Sequence, residues 1–125
     1  MKRYDLLTPE GTRDLLFDEC VALRKIENTL TNITINTPAV PVYANLTGEL
    51  YPEDVVSCLA AQMKSPVRWQ TTVERMIADG ADIFIECGPG KTLAGLIKRI
   101  DKTVKVYSVQ DTDSLNAVLA ELKGE

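Results

Sequence analysis

The chain has no histidine. That absence removes the general base on which most serine and cysteine nucleophiles rely, and the commonest ligand of a catalytic zinc. Cysteine is scarce: Cys20, Cys58 and Cys87 are odd in number, and no two have the spacing of a metal knuckle. Neither a metal site nor a cofactor site is expected. No apolar run approaches the ~20 residues that cross a bilayer. The opening Met1-Lys2-Arg3-Tyr4-Asp5 lacks the apolar core of a secretion signal. We expect a cytoplasmic protein with no membrane association. The 14 lysines and arginines are scattered among 18 acidic residues, for a net charge of -4, so no basic stripe for nucleic acid is expected. Internal repeats and low-complexity tracts are also missing.

What is present is an ordinary globular composition, 45% hydrophobic over 125 residues, which suits one domain with a modest core. The most informative stretch runs from Ile85 to Ile100. Asp82-Ile83-Phe84-Ile85-Glu86-Cys87 reads as a buried strand. Gly88-Pro89-Gly90 reads as a tight turn. Leu93, Leu96, Ile97 and Ile100 then recur at helical spacing, with Lys98 and Arg99 near the end. A strand, a glycine turn and a helix place a helix N-terminus at the carboxyl end of a strand, where open α/β folds hold ligands.

Three readings of this unit are drawn from its residues, beside the family resemblance given below, with which the third is compatible. Gly90-Lys91-Thr92 looks like the end of a phosphate-binding loop, but the pattern G-x-x-x-x-G-K-[ST] needs a glycine where Ile85 stands. Cys87, at the strand end, sits where nucleophiles often sit, yet no base is available to it, and we expect a buried structural thiol. The third reading is a purely structural turn. Lys91 is either an anion ligand at the helix start or an exposed, solvated lysine. Trp69, the only tryptophan, is either a stacking platform or a helix anchor in the core.

Elsewhere the chain alternates. Thr8-Pro9-Glu10-Gly11 is a turn, and Thr12 or Asp14 caps a helix to about Leu30. Val40 to Ala44 reads as a strand, followed by a turn at Asn45, Thr47 and Gly48. Pro52 to Met63 reads as a helix, with Pro52 in its first turn. Pro66 starts another, closed near Asp79 by Gly80. A strand at 104–109 and a helix from about Asp113 to Lys123, capped by Asp111 or Asp113, complete the pattern. This alternation predicts an α/β protein with a parallel sheet and right-handed crossovers.

Several motifs carry a family resemblance. Pro41-Val42-Tyr43-Ala44-Asn45-Leu46-Thr47-Gly48-Glu49, Ser65-Pro66-Val67-Arg68-Trp69, Met76-Ile77-Ala78-Asp79-Gly80 and the GPGK turn stand in the order and spacing of the malonyl-CoA:acyl-carrier-protein transacylases. Ile100 to Tyr107 is similar to the strand near that family's C-terminus. The resemblance covers residues 30–125. It implies the C-terminal portion of the transacylase large subdomain: a partial three-layer parallel sheet of about three strands with flanking helices, plus an N-terminal helix.

The resemblance also implies an activity, S-malonyl transfer in fatty acid biosynthesis. Malonyl-CoA and acyl carrier protein would be the partners. The family's serine lies in a G-H-S-x-G elbow and is activated by a histidine, while an arginine pairs the malonate carboxylate. None of these maps onto the chain, and the glutamine-rich oxyanion loop is missing too. One supporting position does: the family's glutamine three residues before S/N-P-V-x-W, whose carbonyl orients the histidine, is Gln62 here. The chain is expected to be an inactive fragment by itself. The alternative is a non-catalytic interaction or structural module, one that completes a separately encoded half or self-associates.

Residues 1–29 read as a segment of different origin. Thr8 to Cys20, TPEGTRDLLFDEC, is similar to the N-terminus of the histidyl-tRNA-synthetase-like regulatory subunit of ATP phosphoribosyltransferase. That resemblance implies a fusion of two truncated genes, with a relic of a histidine-biosynthesis regulator at one end.

Overall fold

The computed structural model of the protein describes residues 21–124. The TPEG segment and the helix start expected at Thr12 or Asp14 lie outside the described residues. Helix α1 occupies 21–31 within them. The chain divides into two compact units, Met1–Arg68 and Trp69–Glu125.

In the first unit the expected strand at Val40 to Ala44 does not form. It is reduced to a single antiparallel bridge, Tyr43 opposite Leu50. Two local causes act. Pro41 has no N–H to give a ladder, and the chain folds back on itself at once. The Ala44 N–H donates to the Glu49 carbonyl at 2.7 Å, the Gly48 N–H to the Ala44 carbonyl at 2.8 Å, and the Tyr51 N–H to the Val42 carbonyl at 3.0 Å. Gly48 sits at φ 76, where glycine is favoured. Thr47 Oγ1 accepts from the Glu49 N–H at 3.2 Å, so the predicted turn at Asn45, Thr47 and Gly48 is there.

Helix α2 runs Val55–Gln62 and starts later than Pro52, because Asp54 is its N-cap and accepts from the Ser57 N–H at 3.1 Å. Those bonds from Ser57 hold the Asp54 carboxyl below the ordinary carboxylate range. Ala44, Cys58 and Ala60 are the buried apolar residues here.

The second unit carries the α/β alternation. Its elements are α3 (Trp69–Ala78), β1 (Ile83–Cys87), α4 (Thr92–Ile100), β2 (Lys105–Val109) and α5 (Thr112–Lys123). Helix α3 begins at Trp69, not at Pro66: the Arg68 N–H donates to the Asn45 carbonyl at 3.0 Å, which keeps residues 66–68 out of the helix. Its C-terminus closes as predicted on Gly80, at φ 105. The Ala81 N–H returns to the Met76 carbonyl and the Gly80 N–H to the Ile77 carbonyl, a Schellman motif.

Strands β1 and β2 pair in parallel, from Ile83 opposite Lys105 to Cys87 opposite Val109. Among the described residues the sheet has two strands, fewer than the predicted three, since 40–44 contributes none. Helix α4 makes the crossover and packs on both strands and on α3, while α5 packs on β2. Val73, Ala94, Ile97 and Val118 are buried, as is Thr72. Asp111 caps α5 through a reciprocal box with Ser114: its carboxylate accepts from the Ser114 N–H at 2.8 Å. Those bonds from Ser114 lower its pKa.

Candidate functional site around the Glu86–Leu93 turn

The strand-turn-helix unit is built as predicted, and its turn is held at both ends. The Gly88 N–H donates to the Val109 carbonyl at 2.9 Å, and the Gly90 N–H to Gln110 Oε1 at 3.3 Å. Gly88 and Gly90 sit at φ 139 and 88 with open space where a Cβ would point, so conformation and not crowding requires glycine there.

Helix α4 lacks an ordinary cap. Lys91 occupies the N-cap position and gives no side-chain bond. The missing acceptor comes from β1: the Glu86 carboxylate takes the Leu93 N–H at 3.2 Å through Oε1 and the Ala94 N–H at 2.8 Å through Oε2. These are the second and third helical residues, the two donors that an N-cap side chain normally satisfies. A carboxylate also complements the positive end of the helix dipole. Sequence reasoning missed this role. A signal existed: an acidic residue on the preceding strand next to a helix whose N-cap is a lysine.

The arrangement explains why the turn is no phosphate site. The anion-binding end of α4 already holds an internal anion. A phosphate would have to displace Glu86 in a loop one glycine short of the binding pattern. We expect calorimetric titration with ATP or GTP and magnesium to show no specific binding. Micromolar binding abolished by Lys91→Ala would contradict this.

The remaining candidates scatter. Cys87 is exposed, contrary to the buried thiol expected from the sequence, whereas Cys58 is buried. Neighbouring strand residues face opposite ways. Glu86 reaches α4, so Cys87 lies on the other face, and no described element covers it. Lys91 is exposed. Trp69 is half-buried and its indole N–H is enclosed without an acceptor among the described residues, which suits an anchor better than a stacking platform. Tyr107 is no base: burial first, and then Glu121, push its hydroxyl above the usual tyrosine value. No group of side chains among the described residues could hold a metal, and no described helix is long and apolar enough to cross a membrane.

Gln62 belongs to the first unit, as the last residue of α2. Its side-chain amide donates to the Tyr51 hydroxyl at 2.5 Å. Its backbone carbonyl accepts from the Ser65 N–H at 3.3 Å, a long bond that leaves a second lone pair available.

No family model matches the chain. Curated relatives do. A malonyl CoA-acyl carrier protein transacylase of Haemophilus influenzae is 43% identical over 99 residues, 78% of this chain and 32% of the relative. One from Bacillus subtilis is 34% identical over 106 residues, 83% of this chain and 33% of the relative. Among solved structures, the malonyl CoA-acyl carrier protein transacylase of Clostridium perfringens superposes with a TM-score of 0.78 at 42% identity, covering 82% of this chain and 33% of that one. A malonyl-transacylase solved in complex with a type II polyketide synthase acyl carrier protein superposes with a TM-score of 0.76 at 35% identity, covering 80% and 33%. These homologues are malonyl-CoA:acyl carrier protein transacylases, and the chain has the α/β fold of part of them. It spans about a third of the length of the curated relatives it matches.

Proposed function

We propose that the chain acts in malonyl transfer from coenzyme A to acyl carrier protein, as the carboxyl-terminal part of a transacylase, and that it does so only together with a polypeptide carrying the serine and histidine. The observation that supports this reading is a close superposition confined to one third of a transacylase chain, in a sequence with no histidine. The transfer itself needs a serine oxygen to attack the malonyl thioester, releasing the coenzyme A thiol. The carrier's phosphopantetheine thiol then attacks the acyl-enzyme and frees the serine. Both steps need a base.

Within that assembly Gln62 is a positioning residue. Its backbone carbonyl is offered to the histidine while the Tyr51 bond holds its side chain. The test is co-expression of the chain with the part of the C. perfringens transacylase outside the matched third, followed by an assay of malonyl transfer. Activity is expected from the pair and from neither part alone. Gln62→Gly keeps a backbone carbonyl and should slow the pair modestly. Gln62→Pro redirects the local backbone and should slow it far more. Equal rates for the two would remove Gln62 from the site, and an inactive pair would count against malonyl transfer.

A further inference from the structure

The sheet ends at β1 in an edge with no strand beside it among the described residues, where the Ile85 carbonyl accepts a long bond from the Cys87 thiol at 4.0 Å. Parallel pairing makes alternate residues of a strand bond to alternate neighbours. The Lys105 N–H bonds the Asp82 carbonyl, and the Gly88 N–H bonds the Val109 carbonyl, each at 2.9 Å. The even-numbered residues of this stretch therefore face β2. Ile83, Ile85 and Cys87 turn their N–H and carbonyl groups the other way, where no strand is paired among the described residues. The side chains of the same three residues lie on the sheet face opposite Glu86 and α4. Ile85, at the middle of β1, is 43% exposed. Central residues of parallel strands are normally covered on both faces, and among the described residues α4 is the one helix packed on β1.

We infer that the Ile83–Cys87 edge of β1 is a docking seam, at which a polypeptide supplying the rest of the transacylase fold adds a strand parallel to β1 and covers Ile85. This rests on the proposed incompleteness of the chain. The occupant follows from the comparisons: the C. perfringens chain, which superposes on 82% of this one with a TM-score of 0.78, devotes only 33% of its length to the matched region. The other two thirds is the polypeptide available to cover it. A second copy of this chain is the competing occupant.

The test uses the same co-expressed pair, with an affinity tag on the 125-residue chain and no substrate present. Capture of the transacylase remainder is expected. Ile85→Pro removes one outward N–H without touching a β1–β2 bond, a change that an edge strand tolerates, and it should cut capture by about tenfold. Leu119→Asp, on exposed α5, should leave capture unchanged. Hydrogen exchange on the unmutated chain gives a readout independent of any variant's folding: the Ile83, Ile85 and Cys87 amides should exchange freely alone and be protected in the pair. Three results would overturn the inference. They are no capture, equal capture by the Ile85→Pro chain with unprotected amides, and a dimer of the chain alone that already protects those amides. Capture and protection in a pair that transfers no malonyl group would uphold the seam while sinking the proposed activity.

Discussion

Incubated with malonyl-CoA, the chain alone is expected to keep its unmodified mass. An acyl-enzyme needs a nucleophile made reactive by a base or a depressed pKa, and the chain has no histidine to serve. Cys87 is the strongest remaining candidate because its thiol is exposed. It stands at the end of β1 on the face away from α4, and the helix N-terminus that would favour a thiolate is already matched by the Glu86 carboxylate. Two of the four serines are tied locally. Ser114 Oγ is committed to the Asp111 capping box, and Ser65 Oγ donates to the Ala61 carbonyl at 2.9 Å. Without a histidine base, any rate is expected to fall to the residual level of triad-deleted enzymes or below. Intact-mass spectrometry after prolonged incubation checks this. A malonyl adduct on Cys87 or on any serine, blocked by a thiol or serine reagent, would show that the chain is a complete enzyme of another design.

The local half of the structure was legible in the sequence. β1, α4, β2 and α5 fall within about two residues of their predicted bounds, an accuracy at the better end for boundaries, because each is marked by apolar period and by punctuation at its ends. Gly80, Gly88, Gly90 and Asp111 sit where their chemistry requires them. What failed was non-local. Val40 to Ala44 has a strand's composition, but whether such a run joins a sheet depends on a partner, and Pro41 with the turn at Ala44 to Glu49 leaves it one bridge. Cys87 was misread because the exposure of a strand residue depends on what covers its face, which lies beyond its own neighbours in sequence. The bond from Gln62 to Tyr51, 11 positions away, came only from the fold. The start of α3 was lost for a similar reason: a backbone bond from Arg68 to Asn45 outweighs the helix-starting preference of Pro66.

Glu86→Ala is expected to destabilise the second unit markedly. The carboxylate satisfies two helix-end donors at once, at 3.2 and 2.8 Å, and Lys91 supplies no substitute. Loss of an N-cap acceptor typically costs about 0.5–2 kcal/mol, and bonds to a charged group lie at the upper end of the hydrogen-bond range. A cost of about 2 kcal/mol is therefore expected, which lowers the melting temperature of a unit of this size by roughly 8–16 °C. The damage should be local first. Helix α4 joins β1 to β2 and packs on both as well as on α3, so fraying its first turn loosens the crossover on which the parallel pair depends. Glu86→Gln tests the charge separately. It keeps one oxygen acceptor, loses the second and loses the match to the helix dipole, so its melting temperature should fall between the wild type and Glu86→Ala. Hydrogen exchange should show the Leu93 and Ala94 amides deprotected in Glu86→Ala. If Glu86→Ala melts with the wild type and those amides stay protected, another group caps α4. Glu86 would then be free to bind an incoming ligand, and the exclusion of phosphate from this turn would fail with it.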